Sequence, residues 1–274
     1  MSYGTTSFKQ RGVVLVWVLW VGTLLGLIAA SYAFGVRTGT VSVTNAGLRL
    51  QAEALAESAV NLAILELLEM DVAARWRING EVRQKSFGGG KLRYVVHAET
   101  GKINLNMAQG KVIKGLGSED LYMEIAHRRG GRLQAFLSID ETEVPDSVLP
   151  VVTIHSEAGE IDPMVASRGV LMAIPGLGEK AVDMFLRERE ARKKNDAMAH
   201  DEVAQEIAHL LEDGKEFLAI LPARYYTISA KGLTKDRISA FIQTVVRIVP
   251  DSTPAYRILS WRTGPEVFMP DSLQ

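Results

Sequence analysis

From Val13 to Val36 the chain runs for 24 residues without a charged side chain, directly behind Lys9, Arg11 and Gly12. At 1.5 Å per helical residue, about 18 such residues suffice to cross a hydrocarbon layer ~30 Å thick, so this run is long enough to span a membrane. It exceeds the roughly 7–15 apolar residues of an ordinary removable export signal. Ala29-Ala30-Ser31 nevertheless supplies the small residues at which such a signal is cut, and a plain uncleaved anchor is the third alternative. Lys9 and Arg11 before the run, against Arg37 after it, favour a cytoplasmic N-terminus with the larger remainder on the far side.

That remainder contains no cysteine, so a disulfide framework, a thiolate metal site and a cysteine nucleophile are all excluded. With 31 basic and 32 acidic residues the formal net charge is −1, and no global field recruits nucleic acid or anionic lipid. The 238 residues beyond the apolar run, 37–274, are enough for one good core, or for one core plus an inserted subdomain.

Helical character continues past the apolar run. From Asn45 the chain is rich in Ala, Leu and Glu, and Leu48, Ala52, Leu55, Ala59, Leu62, Ala63 and Leu67 recur at three- and four-residue steps along one face. Arg49, Glu53, Glu57 and Glu66 fall largely outside that stripe. Gly35, Gly39 and the Thr and Val residues between them weaken the junction, which predicts one bent helix or a short break there. The rod is thus apolar all round over 13–36 and amphipathic over 37–70.

A basic leader ending in Lys9-Gln10-Arg11-Gly12, followed at once by the apolar segment, resembles the class III signal of type IV pilins and type II secretion pseudopilins. The resemblance implies cleavage by a prepilin peptidase between Gly12 and Val13, with removal of residues 1–12, a methylated mature N-terminus and retention of the segment as an inner-membrane anchor. The glutamate usual at the fifth mature position is replaced by Trp17. In that family the K-type minor pseudopilin (general secretion pathway protein K) is the member lacking it. A carboxylate in lipid costs several kcal/mol unless paired, and the family that the leader resembles pairs it with the N-terminal amine of a neighbouring subunit. Trp17 therefore implies a subunit with nothing above it, at a filament tip.

The middle of the chain repeats itself. AETGKINLNMA (98–108) matches SEAGEIDPMVA (156–166), and the copies lead into predicted helices at 116–129 and 172–190, giving repeats over 98–129 and 156–190. In the second, Ile174-Pro175-Gly176-Leu177-Gly178-Glu179-Lys180-Ala181 has the form of a helix-hairpin-helix turn: Pro175, Gly176 and Gly178 permit the tight path, and amides opening the next helix point outward. With Lys180 such a turn can hold a DNA phosphate, yet Glu179, Asp183, Glu188 and Glu190 make the local charge mixed, so helix packing is the expected use. The K-type resemblance extends to two such segments in an inserted helical domain, with no nucleic acid partner.

Between the copies, Asp140, Glu141, Glu143 and Asp146 fall within seven residues. Clustered carboxylates in an irregular loop suit Ca²⁺, although such clusters are more often solvated acidic loops. K-type relatives have calcium-binding loops in this region, but the longer acidic form is truncated here; Ca²⁺ is the one cofactor the sequence raises. His97, His127, His155, His200 and His209 are scattered, and no hydrolase, zincin or phosphate-loop pattern occurs, so no catalytic residue is assigned.

Alternation at Leu92, Tyr94 and Val96 predicts a strand over 92–98, and 224–232, 239–250 and 255–264 read as an antiparallel meander. Ser260-Trp261-Arg262 resembles the K-type ending. The expected fold class is α+β: a pilin-like long N-terminal helix on a small antiparallel sheet (71–98 and 223–264), with a helical subdomain (99–222) inserted. The resemblance implies a non-enzymatic minor pseudopilin at the tip of a periplasmic pseudopilus for protein export across the outer membrane. Its partners would be other minor pseudopilins, the major pseudopilin, the prepilin peptidase and the inner membrane. Leu55, Ala59 and Leu62 form the face expected to meet those subunits. The alternatives are a membrane-anchored DNA-uptake protein using the 174–181 turn, and a minor pilin of a type IV pilus.

Overall fold

A computed structural model describes residues 11–69, 78, 80–117, 148–193, 207–250 and 252–264. The chain forms two units, Met1–Gln51 and Ala52–Gln274. Helix α1, Arg11–Leu67, begins in the first and ends in the second.

In the first unit the helix runs through Gly22, Gly26, Gly35 and Gly39 without interruption, so of the two expectations for the junction, one bent helix or a short break, the break does not occur. The hydroxyls there are satisfied inside the helix: Thr38, Thr40 and Thr44 each donate to the carbonyl four residues back at 2.9 Å. Polar side chains that close their own hydrogen bonds cost little in an apolar surrounding. Val14 to Val36 present exposed Trp, Leu, Val, Ile and Phe side chains, Trp17 among them at 68% exposure, over a stretch long and apolar enough to cross a membrane.

In the second unit α1 meets a five-stranded antiparallel sheet of order β1-β2-β5-β6-β7, formed by Arg83–Phe87, Gly90–Ala98, Tyr225–Leu233, Ser239–Ile248 and Tyr256–Thr263. Ala52, Ala56, Ala59 and Ala63 are buried on the helix, and their small side chains let its backbone approach the sheet. The approach is closest at Gly232, where a Cβ would collide with the backbone of Ala52 and Ala56, so only glycine fits. Leu55, Val60 and Ile64 pack with Leu92, Tyr94, Ile228, Ile242 and Val246 into one core. Glu66 accepts hydrogen bonds from the Tyr94 hydroxyl and the Lys85 ammonium, both at 3.0 Å, and pairs with Arg83 at 3.4 Å, tying the helix to the first hairpin.

Two expectations are corrected here. Leu55 and Ala59 are buried against the chain's own sheet and Leu62 is half-buried beside them, so this face is not free to meet another subunit. The sheet also has five strands where four were expected. The additional strand, β1, is Arg-Gln-Lys-Ser-Phe, polar because it lies at the edge with little to bury. Its hairpin turns through Gly88 and Gly89 at φ 55° and 78°, the left-handed pair that matches strand twist.

Between β2 and β5 the chain builds a second core. A two-residue parallel pair, β3 (Ile103–Asn104) with β4 (Val152–Thr153), is accompanied by α2 (Gly110–Lys114), α3 (Arg168–Met172), α4 (Glu179–Lys193) and a 3-10 segment, Ala208–Phe217, broken at Leu211. Ile103, Leu105, Ile113, Ile161, Leu171 and Phe185 fill its centre.

Candidate functional site

The repeat seen in the letters is a repeat in space. Asn104 and Asp162, 58 residues apart, each accept through the side chain from the amide two residues on, Asn106 at 2.8 Å and Met164 at 2.9 Å. Each also accepts at its carbonyl from the amide four residues on, Ala108 and Ala166. Helices α2 and α3 follow at the same spacing. The copies touch reciprocally: a Cβ on Gly101 would strike Val165 and Ala166, and one on Gly159 would strike Met107 and Ala108. Gly115 packs on Ala173, its own counterpart. Contacts in which i meets j and j′ meets i′ are the signature of a local two-fold arrangement.

The second copy ends in the glycine turn. Residues 173–178 separate α3 from α4, and of the helix-like stretch expected at 172–190 the part from Glu179 on is helix α4. Gly176 adopts φ 89°, and a Cβ there would press on the Asp213 carbonyl. Gly178 has open space around it, and Lys180 is exposed. At the start of α4 the Arg168 guanidinium donates to Glu179 at 2.6 Å and to Asp183 at 2.8 Å. The Arg168 hydrogen bond holds the Asp183 carboxyl below the usual carboxylate range, and these bonds raise the Arg168 guanidinium. The partial positive charge of the helix start thus already meets the chain's own Glu179, and with Arg168 and Lys180 against Glu179 and Asp183 the local charge is mixed. Behind it Arg189 donates to the carbonyls of Pro163 and Ala166 at 2.7 Å while its guanidinium stands 6.0 Å from the Phe185 ring centre.

The two copies grip the sheet with equivalent residues. Glu99 and Glu157, again 58 apart, both reach β5: Glu99 accepts from the Thr227 hydroxyl and Glu157 from the Tyr225 hydroxyl at 2.8 Å. Glu99 is only 2% exposed, accepts from the Thr153 hydroxyl and pairs with the Lys102 ammonium at 2.6 Å. Burial pushes its carboxyl up, but the Lys102 charge and hydrogen bonds from Lys102, Thr153 and Thr227 outweigh it and hold the group below the ordinary carboxylate range. His97 beside them is lowered to about 4, chiefly by burial and then by the Lys102 charge. Glu157, by contrast, is exposed and sits among Arg224, Arg247 and Tyr225. Glu99 and Glu157 belong to no motif of a functional site, and their signal in the sequence is recurrence at the same place in both copies.

A hollow of ≈ 210 Å³ lies on the repeat subdomain beside Phe185, Leu211 and Ile220. The Lys215 ammonium on its wall is already paired with Glu212. Among the described residues no group of three or more His, Asp or Glu side chains is placed to hold a metal. Asp140, Glu141, Glu143 and Asp146, with His127 and His200, lie outside the described residues, as does nearly all of the helix expected at 116–129. Gly12 and Val13 fall in the first turn of α1.

No family model matches the chain, and no curated protein matches it. A chain of the crystal structure described as the GspK-GspI-GspJ complex from the enterotoxigenic Escherichia coli type 2 secretion system is similar to it at 12% identity and a TM-score of 0.47. The similarity covers 84% of this chain and 99% of that chain, and at this distance it does not establish a family.

Proposed function

We propose that this chain is a non-enzymatic minor pseudopilin of K type, anchored in the inner membrane by α1 with its second unit in the periplasm, and that it starts or caps a pseudopilus. The observation that carries the reading is the junction at Gly12 and Val13: basic residues end there and the uncharged stretch of α1 begins at once. A hydrophobic segment retained after cleavage at its cytoplasmic edge would serve first as anchor and then as filament core. Trp17 supports the tip position, since a side chain without charge cannot pair with the amine of a subunit above it. The subdomain between β2 and β5 supports it too, being bulky for a subunit repeated along a closely packed fibre. Other minor pseudopilins and the major pseudopilin are the partners this reading requires. The DNA-uptake alternative loses support at α4, where Glu179 and Asp183 occupy the helix start.

Co-expression with a prepilin peptidase, followed by mass spectrometry of the membrane-purified chain, tests the reading. The expected mature N-terminus is Val13, and Gly12→Leu is expected to block processing. A start near residue 32, or an uncut chain in the presence of active peptidase, would overturn it.

A further inference from the structure

Strand pairing places three side chains in one row across the sheet: Tyr225 on β5 stands opposite Arg247 on β6, and Arg247 opposite Arg257 on β7. Val246 and Ile248, the chain neighbours of Arg247, are buried in the core beneath α1, so the row lies on the other face of the sheet. Arg224 adjoins it, immediately before β5. Among the described residues the one carboxylate in this group is Glu157. It accepts from the Tyr225 hydroxyl at 2.8 Å but stands 3.5 Å from both the Arg224 and the Arg247 guanidinium. That is looser than the roughly 2.7–2.9 Å of a good charge-assisted hydrogen bond. Arg257 is exposed, and no carboxylate of the described residues pairs with it.

Three guanidiniums thus share one loosely held carboxylate, and two of them face each other across a strand pair, where like charges are destabilising. The Tyr225 ring, 5.5 Å from the Arg247 guanidinium, gives that planar fork a fixed seat. A second carboxylate set between Arg247 and Arg257 offsets the repulsion and meets donors already turned to solvent. The anion that the group holds already, Glu157, is itself a carboxylate, and it is exposed enough to yield or share its place. We propose that the row formed by Arg247 and Arg257, with Arg224 and Tyr225 beside it, is a docking surface for an acidic segment of another protein chain, gripped through its side-chain carboxylates. The proposal rests on the pseudopilin reading only for the source of such a segment, a neighbouring subunit.

The test titrates the full-length chain, in uncharged detergent micelles, into two labelled and capped pentapeptides and follows fluorescence anisotropy. One peptide alternates glycine with aspartate and the other glycine with lysine. The aspartate peptide is expected to bind saturably and the lysine peptide not at all. Arg257→Glu is expected to weaken the aspartate peptide about tenfold, and Glu157→Gln, which removes the competing carboxylate, to tighten it about threefold. Lys235→Glu makes the same change in net charge at an exposed position in the β5–β6 turn and is expected to leave binding within about twofold of the parent. Because Arg257→Glu replaces a like-charged cross-strand pair by an opposite one, its thermal midpoint is expected at or above the parent's, which verifies that the variant folds. Binding of neither peptide, equal binding of both, or a loss for Lys235→Glu as large as for Arg257→Glu would overturn the proposal. So would displacement of the aspartate peptide by equimolar inorganic phosphate or by phosphatidylglycerol mixed into the micelles, either of which reassigns the surface to a phosphate group. Absence of binding by a chain that starts at Val13 refutes the docking surface alone; binding by a chain left uncut by the peptidase refutes the pilin reading alone.

Discussion

Glu99→Gln is the substitution that most directly tests how the repeats are held to the sheet. Glutamine keeps the volume and one acceptor oxygen but removes the charge that Lys102 pairs with at 2.6 Å. Lys102 is only 13% exposed, so its ammonium is left inside a largely dry junction with neutral acceptors alone, the retained oxygen at position 99 and the Thr227 hydroxyl at 3.0 Å. Removing one partner of a buried pair costs about 3–5 kcal/mol. The remaining bond to Thr227 and the slight exposure of Lys102 place the expected loss at the lower end, about 3 kcal/mol. Urea unfolding of the full chain in micelles, followed by near-ultraviolet circular dichroism, measures it. The double variant Glu99→Gln with Lys102→Met removes both charges and is expected to recover to within about 1 kcal/mol of the parent, because apolar replacement of a whole buried pair is nearly neutral. A loss below about 1 kcal/mol for Glu99→Gln, or a double variant as unstable as the single one, would refute the reasoning. The charge at Glu99 would then not organise the junction.

His97 supplies a pH-dependent prediction. Its folded pKa of about 4 lies below the usual 6.5 or so, which means the fold prefers the neutral ring. Stability from this residue is therefore fully present above about pH 6.5 and is lost as pH falls toward 4, with a slope of up to about 1.4 kcal/mol per unit. Unfolding midpoints measured at several pH values should show that slope, and His97→Gln should flatten it. Glycines of the repeat should behave oppositely under one substitution. Gly115→Ala drives a Cβ into the Ala173 carbonyl and is expected to destabilise the subdomain by 1–3 kcal/mol, whereas Gly178→Ala meets open space and should change stability by less than about 0.5 kcal/mol. Thermal melts of the two variants compare them directly.

The elements most legible in the sequence are those whose periodicity reports burial. Tyr226, Ile228 and Ala230 alternate with polar residues because they lie on the face that α1 covers, and Ala52, Leu55, Ala59 and Ala63 mark the helix face that covers them. β1 escaped because an edge strand buries almost nothing, leaving Arg-Gln-Lys-Ser-Phe without the alternation that burial imposes. The uninterrupted helix through Gly35 and Gly39 escaped for a different reason. Glycine weakens a helix by only about 1 kcal/mol, and around Gly39 the hydroxyls of Thr38, Thr40 and Thr44 bond to carbonyls of the helix itself, so the ladder continues through both glycines.

The junction was hidden by distance. Glu99 and Thr227 are 128 residues apart, and nothing local in either neighbourhood reports that one carboxylate gathers Lys102, Thr153 and Thr227. The repeat does contain a trace of it, because Glu99 and Glu157 occupy the same place in two copies and both reach β5. Their environments differ: one is sealed against an ammonium and two hydroxyls, the other lies exposed among Arg224, Arg247 and Tyr225. At the exposed copy a carboxylate needs no partner to stay charged, so its bond to Tyr225 contributes little, whereas Glu99 stays charged in a buried place because Lys102, Thr153 and Thr227 surround it; the two contacts to β5 are equivalent in position and unequal in strength.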